Sequence, residues 1–152
     1  MVPLWISAVF LALVTFYVSQ DLPRKEAAQV AAVADVSATN LLAYRSAVQA
    51  FLSANPAATG TISDASLAAH WLPGYARRPE WTNLVASGTV FVYSTAAMSN
   101  GTVFSLREKS GESLLVGTKN TSTGRLQSAT GIDTRINLPA AIPSGAVVMM
   151  GR

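Results

Sequence analysis

At 152 residues the chain has the length of a single modest domain; half of it is apolar, 12% is charged and its mean hydropathy is +0.33, a composition that excludes intrinsic disorder. One histidine and no cysteine exclude a disulfide scaffold, a thiol nucleophile and the usual structural zinc sites. The net charge of +3 is a small excess of eleven scattered basic residues over eight acidic ones, with no basic stripe and no aromatic-studded motif, so nucleic acid is not an expected partner.

From Val2 to Ser19 the sequence reads VPLWISAVFLALVTFYVS, with no charged side chain before Asp21. As a helix rising ~1.5 Å per residue it reaches ~27 Å, enough for a thin bilayer core. Residues 1–20 are therefore expected to form an uncleaved transmembrane anchor. Its membrane-contacting side chains are Leu4, Trp5, Ile6, Val9, Phe10, Leu11, Leu13, Val14, Phe16 and Tyr17, with Trp5 and Tyr17 marking the two interfaces. A cleaved signal peptide is the alternative, yet it would need a basic start and small residues before the cut, and Tyr17 stands where a small residue is wanted. Arg24 and Lys25 follow the span, so positive charge alone would hold the rest of the chain in the cytoplasm, whereas a long domain translocates against so weak a bias.

From Arg24 to Ala54 the chain is Ala-rich and free of Gly and Pro, which predicts one long helix stopped by Asn55-Pro56. Val30, Ala34, Ser37, Leu41, Tyr44, Val48 and Phe51 recur at alternating steps of four and three and share a face. The large residues Leu41, Tyr44, Val48 and Phe51 are expected in the core. The small-residue half, residues 21–40, reads as a stalk whose Val30, Ala34 and Ser37 meet a partner helix. The globular part then spans residues 41–152.

Ser63 or Thr61 is placed to cap a short helix ending before Leu72-Pro73-Gly74. His70 has no acid nearby in sequence to orient it and reads as a half-buried structural residue; a hydrolase acting through His70 and a serine is the weaker alternative. Arg77, Arg78 and Glu80, beside Pro79 and Trp81, read as a solvated charged loop. Beyond Trp81 the period changes to two. Residues 82–86 and 89–93 pair as a hairpin through Ser87-Gly88, residues 102–110 read as a helix, and residues 113–118 and 124–128 form a second hairpin. A final strand, residues 146–150, follows the loop from Pro139 to Gly145. Gly117-Thr118-Lys119 lacks the glycine spacing of a phosphate loop. Asp64, Glu108, Glu112 and Asp133 are too dispersed for a carboxylate pair or a metal cage, so no catalytic residue, cofactor or metal is assigned. The fold class is α+β: a transmembrane helix continuing into a long helix that packs on a small, mainly antiparallel sheet.

The anchor, LLAYRSAVQAFLSANP, HWLPGY, SLLVGTKN with its GRL return, and LPAAIPSGAVVMMG together resemble the small PilM family of plasmid-type, thin type IV pilus systems over nearly the whole chain. An unrelated actin-like cytoplasmic protein shares that name, and this chain is not similar to it. The resemblance implies a non-enzymatic inner-membrane protein of the pilus biogenesis apparatus or basal body, its domain in the periplasm, touching other pilus-assembly proteins and open to homo-oligomerisation. A released binding or adhesin-like module is the alternative. On either reading, binding is expected at the helix stripe and at sheet edges.

Overall fold

The computed structural model describes residues 2–151. The side chains of residues 2–4, 18 and 20–23, including Leu4 of the expected anchor, lie outside the described residues. The chain divides into two compact units, Met1–Val33 and Ala34–Arg152, and one helix, α1 (Val2–Ala54), contributes to both.

In the first unit every described side chain from Trp5 to Tyr17 is exposed. Among the described residues no helix is long and apolar enough to cross a membrane. The structure therefore supports the α+β fold without its membrane span.

In the second unit, α1 buries a stripe of Ala34, Ser37, Ala38, Leu41, Tyr44, Ala47 and Val48. It stops where Pro56 cannot supply the next amide and Asn55 bonds back to the carbonyl of Phe51 through both its backbone and side-chain nitrogens (2.9 and 3.1 Å). A four-residue helix, α2 (Asp64–Leu67), starts at Ser63, whose Oγ accepts from the Ser66 amide at 3.3 Å, and a tight turn, Ala68–His70, follows. The remaining elements are β1 (Trp81–Ala86), β2 (Thr89–Ala97), α3 (Asn100–Lys109), β3 (Val116–Lys119), β4 (Arg125–Ser128), β5 (Asp133–Asn137) and β6 (Ala146–Gly151).

The six strands form one antiparallel sheet in the order β1-β2-β6-β3-β4-β5. β1 and β2 turn through Ser87 and Gly88, both at positive φ (51° and 72°), the geometry that matches strand twist in a two-residue hairpin. The last strand in sequence lies inside the sheet and is buried along its whole length. Its alternate residues serve two cores, as strand geometry requires. Val147 and Met149 join Val90, Val92 and Val116 beneath Leu41, Tyr44 and Val48. Val148 and Met150 join Phe91, Tyr93 and Leu126 under Leu138 and Ile142. Lys119, itself buried, pins that second cover by donating Nζ to the carbonyls of Pro139 (3.0 Å) and Ile142 (2.7 Å). Gly117 is obligatory at its position, since a Cβ there would fall on the Gln127 carbonyl of the neighbouring strand.

Sequence reading places the start of the globular part at residue 41, but the structure moves it to Ala34. Ala34 and Ser37 are 2% and 1% exposed, so they are interior residues and not the open partner surface expected of them. The physical reason is the small size that suggested a contact: at Ala34 it admits α3, where a Cβ placed on Gly101 would meet the Ala34 Cβ at 3.4 Å, and at Ser37 it admits the Arg78 side chain. The helix finds its close neighbour within its own chain. β5 was not anticipated, for Asp and Asn are poor strand formers and Arg135 sits at φ 60°.

Leu41→Ala is expected to cost about 2–5 kcal/mol through a cavity, and Ala34→Leu about 1–3 kcal/mol through overpacking against α3. Val30→Ala, at a residue 60% exposed, is expected to change stability by less than about 0.5 kcal/mol. Denaturant unfolding of the three variants checks the ranking; an Ala34→Leu protein as stable as the parent would remove α3 from the position described.

Candidate functional site: the clasp across helix α1

Residues 71–80 are fastened across α1 at several points. Trp71 stacks between Tyr44 and Tyr75, with ring centroids 5.7 and 5.0 Å away and ring planes within 26°. The Tyr75 hydroxyl donates to Asn40 (Oδ1 3.1 Å, O 3.3 Å), and the Asn40 amide donates to the carbonyl of Ala76 at 2.9 Å. Arg77 pairs with Asp64, donates to the Trp81 carbonyl at 2.5 Å and lies 5.6 Å above the Tyr44 ring, a cation–π placement. Arg78 donates to Ser37 Oγ at 2.6 Å and pairs with Glu80 at 2.6 Å. The charged loop expected in solvent is thus a strap, because its two guanidiniums satisfy acceptors on three different segments.

Underneath, Asn83 of β1 is fully buried. Its side-chain nitrogen donates to the Tyr44 hydroxyl (2.7 Å) and the Ile62 carbonyl (2.9 Å), and its oxygen accepts the Ile62 amide (2.8 Å). Burial, reinforced by neighbouring Tyr44, pushes the Tyr75 hydroxyl up to about 12. Burial also raises Tyr44. Both phenols are held neutral, as donors and acceptors of hydrogen bonds.

Beside the strap opens a shallow groove of about 330 Å³, whose lining includes Asp35, Val36, Thr39, Asn40, Gly74 and Tyr75. On the α1 wall of this groove Val36 is 61% exposed, and on the strap Leu72 is 55% exposed. Its apolar walls with a few hydrogen-bonding groups suit a side chain of another protein. Among the described residues no cluster of three or more metal-ligating side chains occurs.

The structure places Leu41, Tyr44 and Val48 at zero exposure, and Phe51 half-buried against the same core. Val30 lies exposed in the first unit, with Trp5, Ile6, Val9, Phe10, Leu11, Leu13, Val14, Phe16 and Tyr17. The His70 and Phe51 rings are nearly perpendicular, with centroids 5.8 Å apart. The sheet edges are not the free templates that were expected. Gly60 bridges to Val85 with bonds of 2.9 and 2.8 Å along the outer side of β1. On β5 the Arg135 amide is taken by Asp133 Oδ1 (2.8 Å), and the left-handed Arg135 interrupts the strand, both devices that blunt an edge. Sequence reasoning missed Asn40, Tyr75 and Asn83. Of these, Asn83 carried a usable signal, since an amide flanked by Trp81 and Val85 at alternate strand positions must bury its polar group and so must find partners.

The PilM family model matches residues 9–150. Among solved structures, the chain is similar to a protein named PilM from Escherichia coli B7A, with 28% identity and a TM-score of 0.59 over 79% of this chain and 92% of that one. It is also similar to a protein named PilM from Pseudomonas aeruginosa 2192, with 31% identity and a TM-score of 0.43 over 78% of this chain and 95% of that one. No curated protein matches the sequence.

Two predictions come from the clasp. Asn83→Ala strands the Tyr44 hydroxyl and both polar groups of Ile62, and is expected to cost about 1–3 kcal/mol or more; hydrogen exchange should show the Ile62 amide losing protection. The second concerns alkali. Tyr75 ionises near 10 when unfolded and near 12 when folded, so the folded state favours the protonated phenol. That stability is complete below pH 10 and is lost as pH rises towards 12. Melting temperature should therefore fall steeply across this window, and less steeply in Tyr75→Phe.

Proposed function

The chain belongs to the PilM family, and from that premise we propose that it is a non-enzymatic, membrane-anchored subunit of a type IV pilus biogenesis apparatus, acting through protein–protein contacts. The observation that carries the reading is the extent of the family match, residues 9–150, which takes in the second part of the apolar segment, from Val9 on, together with the folded unit. Trp5 to Tyr17 is uncharged and apolar on all sides of its helix, a pattern suited to lipid or to a helical neighbour and not to water. Val2 to Leu4 and Val18 extend that run in sequence. In the folded unit, the strap groove with Val36 is the surface offered to another pilus-assembly protein. In the first unit, Val30 is the corresponding contact, to such a protein or to a second copy. The domain is placed in the periplasm, with the bacterial inner membrane holding the anchor.

Photo-crosslinking residues at positions 30 and 36, in cells assembling pili, are the direct test. The expected outcome is site-specific adducts with pilus-assembly proteins, in a protein that fractionates with the inner membrane and leaves it when residues 1–20 are deleted. A C-terminal reporter active only in the periplasm fixes the orientation. A mature chain lacking residues 1–19, released and without adducts, would replace this reading by that of an exported binding module.

A further inference from the structure

We propose that Asn100-Gly101, at the start of α3, is a modification site: Asn100 deamidates spontaneously to aspartate or isoaspartate. The backbone nitrogen of Gly101 attacks the Asn100 side-chain carbonyl carbon and loses its proton, and ammonia leaves with the former side-chain nitrogen. A five-membered succinimide remains. Water then adds to one of its two carbonyls, giving isoaspartate if the ring opens on the main-chain side and aspartate if it opens on the side-chain side. The net change is one water consumed and one ammonia released, with no oxidant or second reactant.

The selection of this position rests on a comparison of all six asparagines. Asn55 precedes Pro56, which has no amide proton to lose. Asn40 and Asn83 are held by the strap and core bonds described above. Asn120 accepts the amides of Ser122 and Thr123 (2.8 and 3.0 Å), and Asn137 accepts Arg125 Nε at 3.3 Å. Each of those four is followed by a residue with a bulky side chain. Asn100 alone is followed by glycine, whose missing Cβ leaves the attacking nitrogen unobstructed. Its side chain is exposed, makes no hydrogen bond among the described residues, and borders an open groove that admits water.

The backbone there is also loosely held. An amide in the first turn of a helix has no intrahelical carbonyl to bond, and such amides are usually taken by the N-cap side chain. Here the N-cap is Ser99, which makes no capping bond and shares its hydroxyl with Thr102 Oγ1 at 3.2 Å. Helix ends fray, and fraying is what swings the Gly101 nitrogen towards the Asn100 side chain. The two products differ in consequence. Aspartate adds a negative charge in the first turn, where the helix dipole favours it. Isoaspartate adds a methylene to the main chain at the joint where Gly101 lies against Ala34, and so prises α3 from α1.

The test is to incubate the purified full-length protein at mildly alkaline pH and map its peptides by fragment-ion mass spectrometry over time. Expected are amide-to-acid conversion at Asn100 ahead of the other five asparagines, a several-fold slower conversion in Gly101→Ala, and faster conversion as pH rises. Asn100→Asp should keep the parent's melting temperature, while the isoaspartate fraction of aged protein melts lower. Conversion first at any other asparagine, or an unchanged rate in Gly101→Ala, overturns the proposal; the first readout needs no variant to fold.

Discussion

A single buried amide ties the folded unit together. Asn83 completes its hydrogen bonds with the Tyr44 hydroxyl on α1 and with both backbone groups of Ile62, so three segments far apart in sequence converge on one side chain. Apolar packing alone is non-directional and would let α1 slide along the sheet at modest cost. A buried amide permits no such slip, because any register other than this one leaves its donors and acceptors unpaired. The neighbouring bonds are consequences of that fixed register. With Tyr44 in place, Trp71 and Tyr75 stack beyond it, and the strap reaches Asn40 and Ser37.

The loop that carries Ile62 solves a second problem. Through its bridge from Gly60 to Val85 it occupies part of one sheet edge, while the irregular β5 blunts the other. An open edge invites pairing with any exposed strand, without selectivity. Blunting both edges shifts recognition to surfaces where side-chain identity decides, such as the strap groove and the exposed turns of α1.

Much of this was legible in the residues. The long helix and its stop at Asn55-Pro56, the Ser87-Gly88 hairpin and the last strand were readable because each rests on local chemistry: a proline with no amide, a turn needing positive φ, alternation of branched residues. What escaped was decided at a distance. Ala34 and Ser37 look alike whether a small residue admits a foreign helix or a neighbour of the same chain, and only the positions of Gly101 against Ala34 and Arg78 against Ser37 distinguish the two. Arg77 and Arg78 look solvated until their acceptors, Asp64 and Ser37, are brought beside them. The strap groove was invisible for the same reason, since its walls come from α1 and from the Gly74-Tyr75 turn, more than thirty residues on.

The distribution of small residues completes the physical argument. Along α1 in the folded unit, size rises from Ala34, Ser37 and Ala38 to Leu41, Tyr44 and Val48, and the packing partner changes with it. Where the helix is thin, α3 lies against it through glycine; where it is thick, it meets the branched and sulfur-bearing side chains of β2 and β6 across a full side-chain layer. One helix thereby matches two neighbours at two distances. Enlarging the thin end does not add useful apolar area, because the space is already taken by backbone, whereas trimming the thick end opens a void that rigid strands cannot close. The taper also explains why Val36, two residues beyond Ala34 and pointing away from this stripe, remains exposed: both neighbours lie on the opposite side of the helix, and its own side is left to the strap groove.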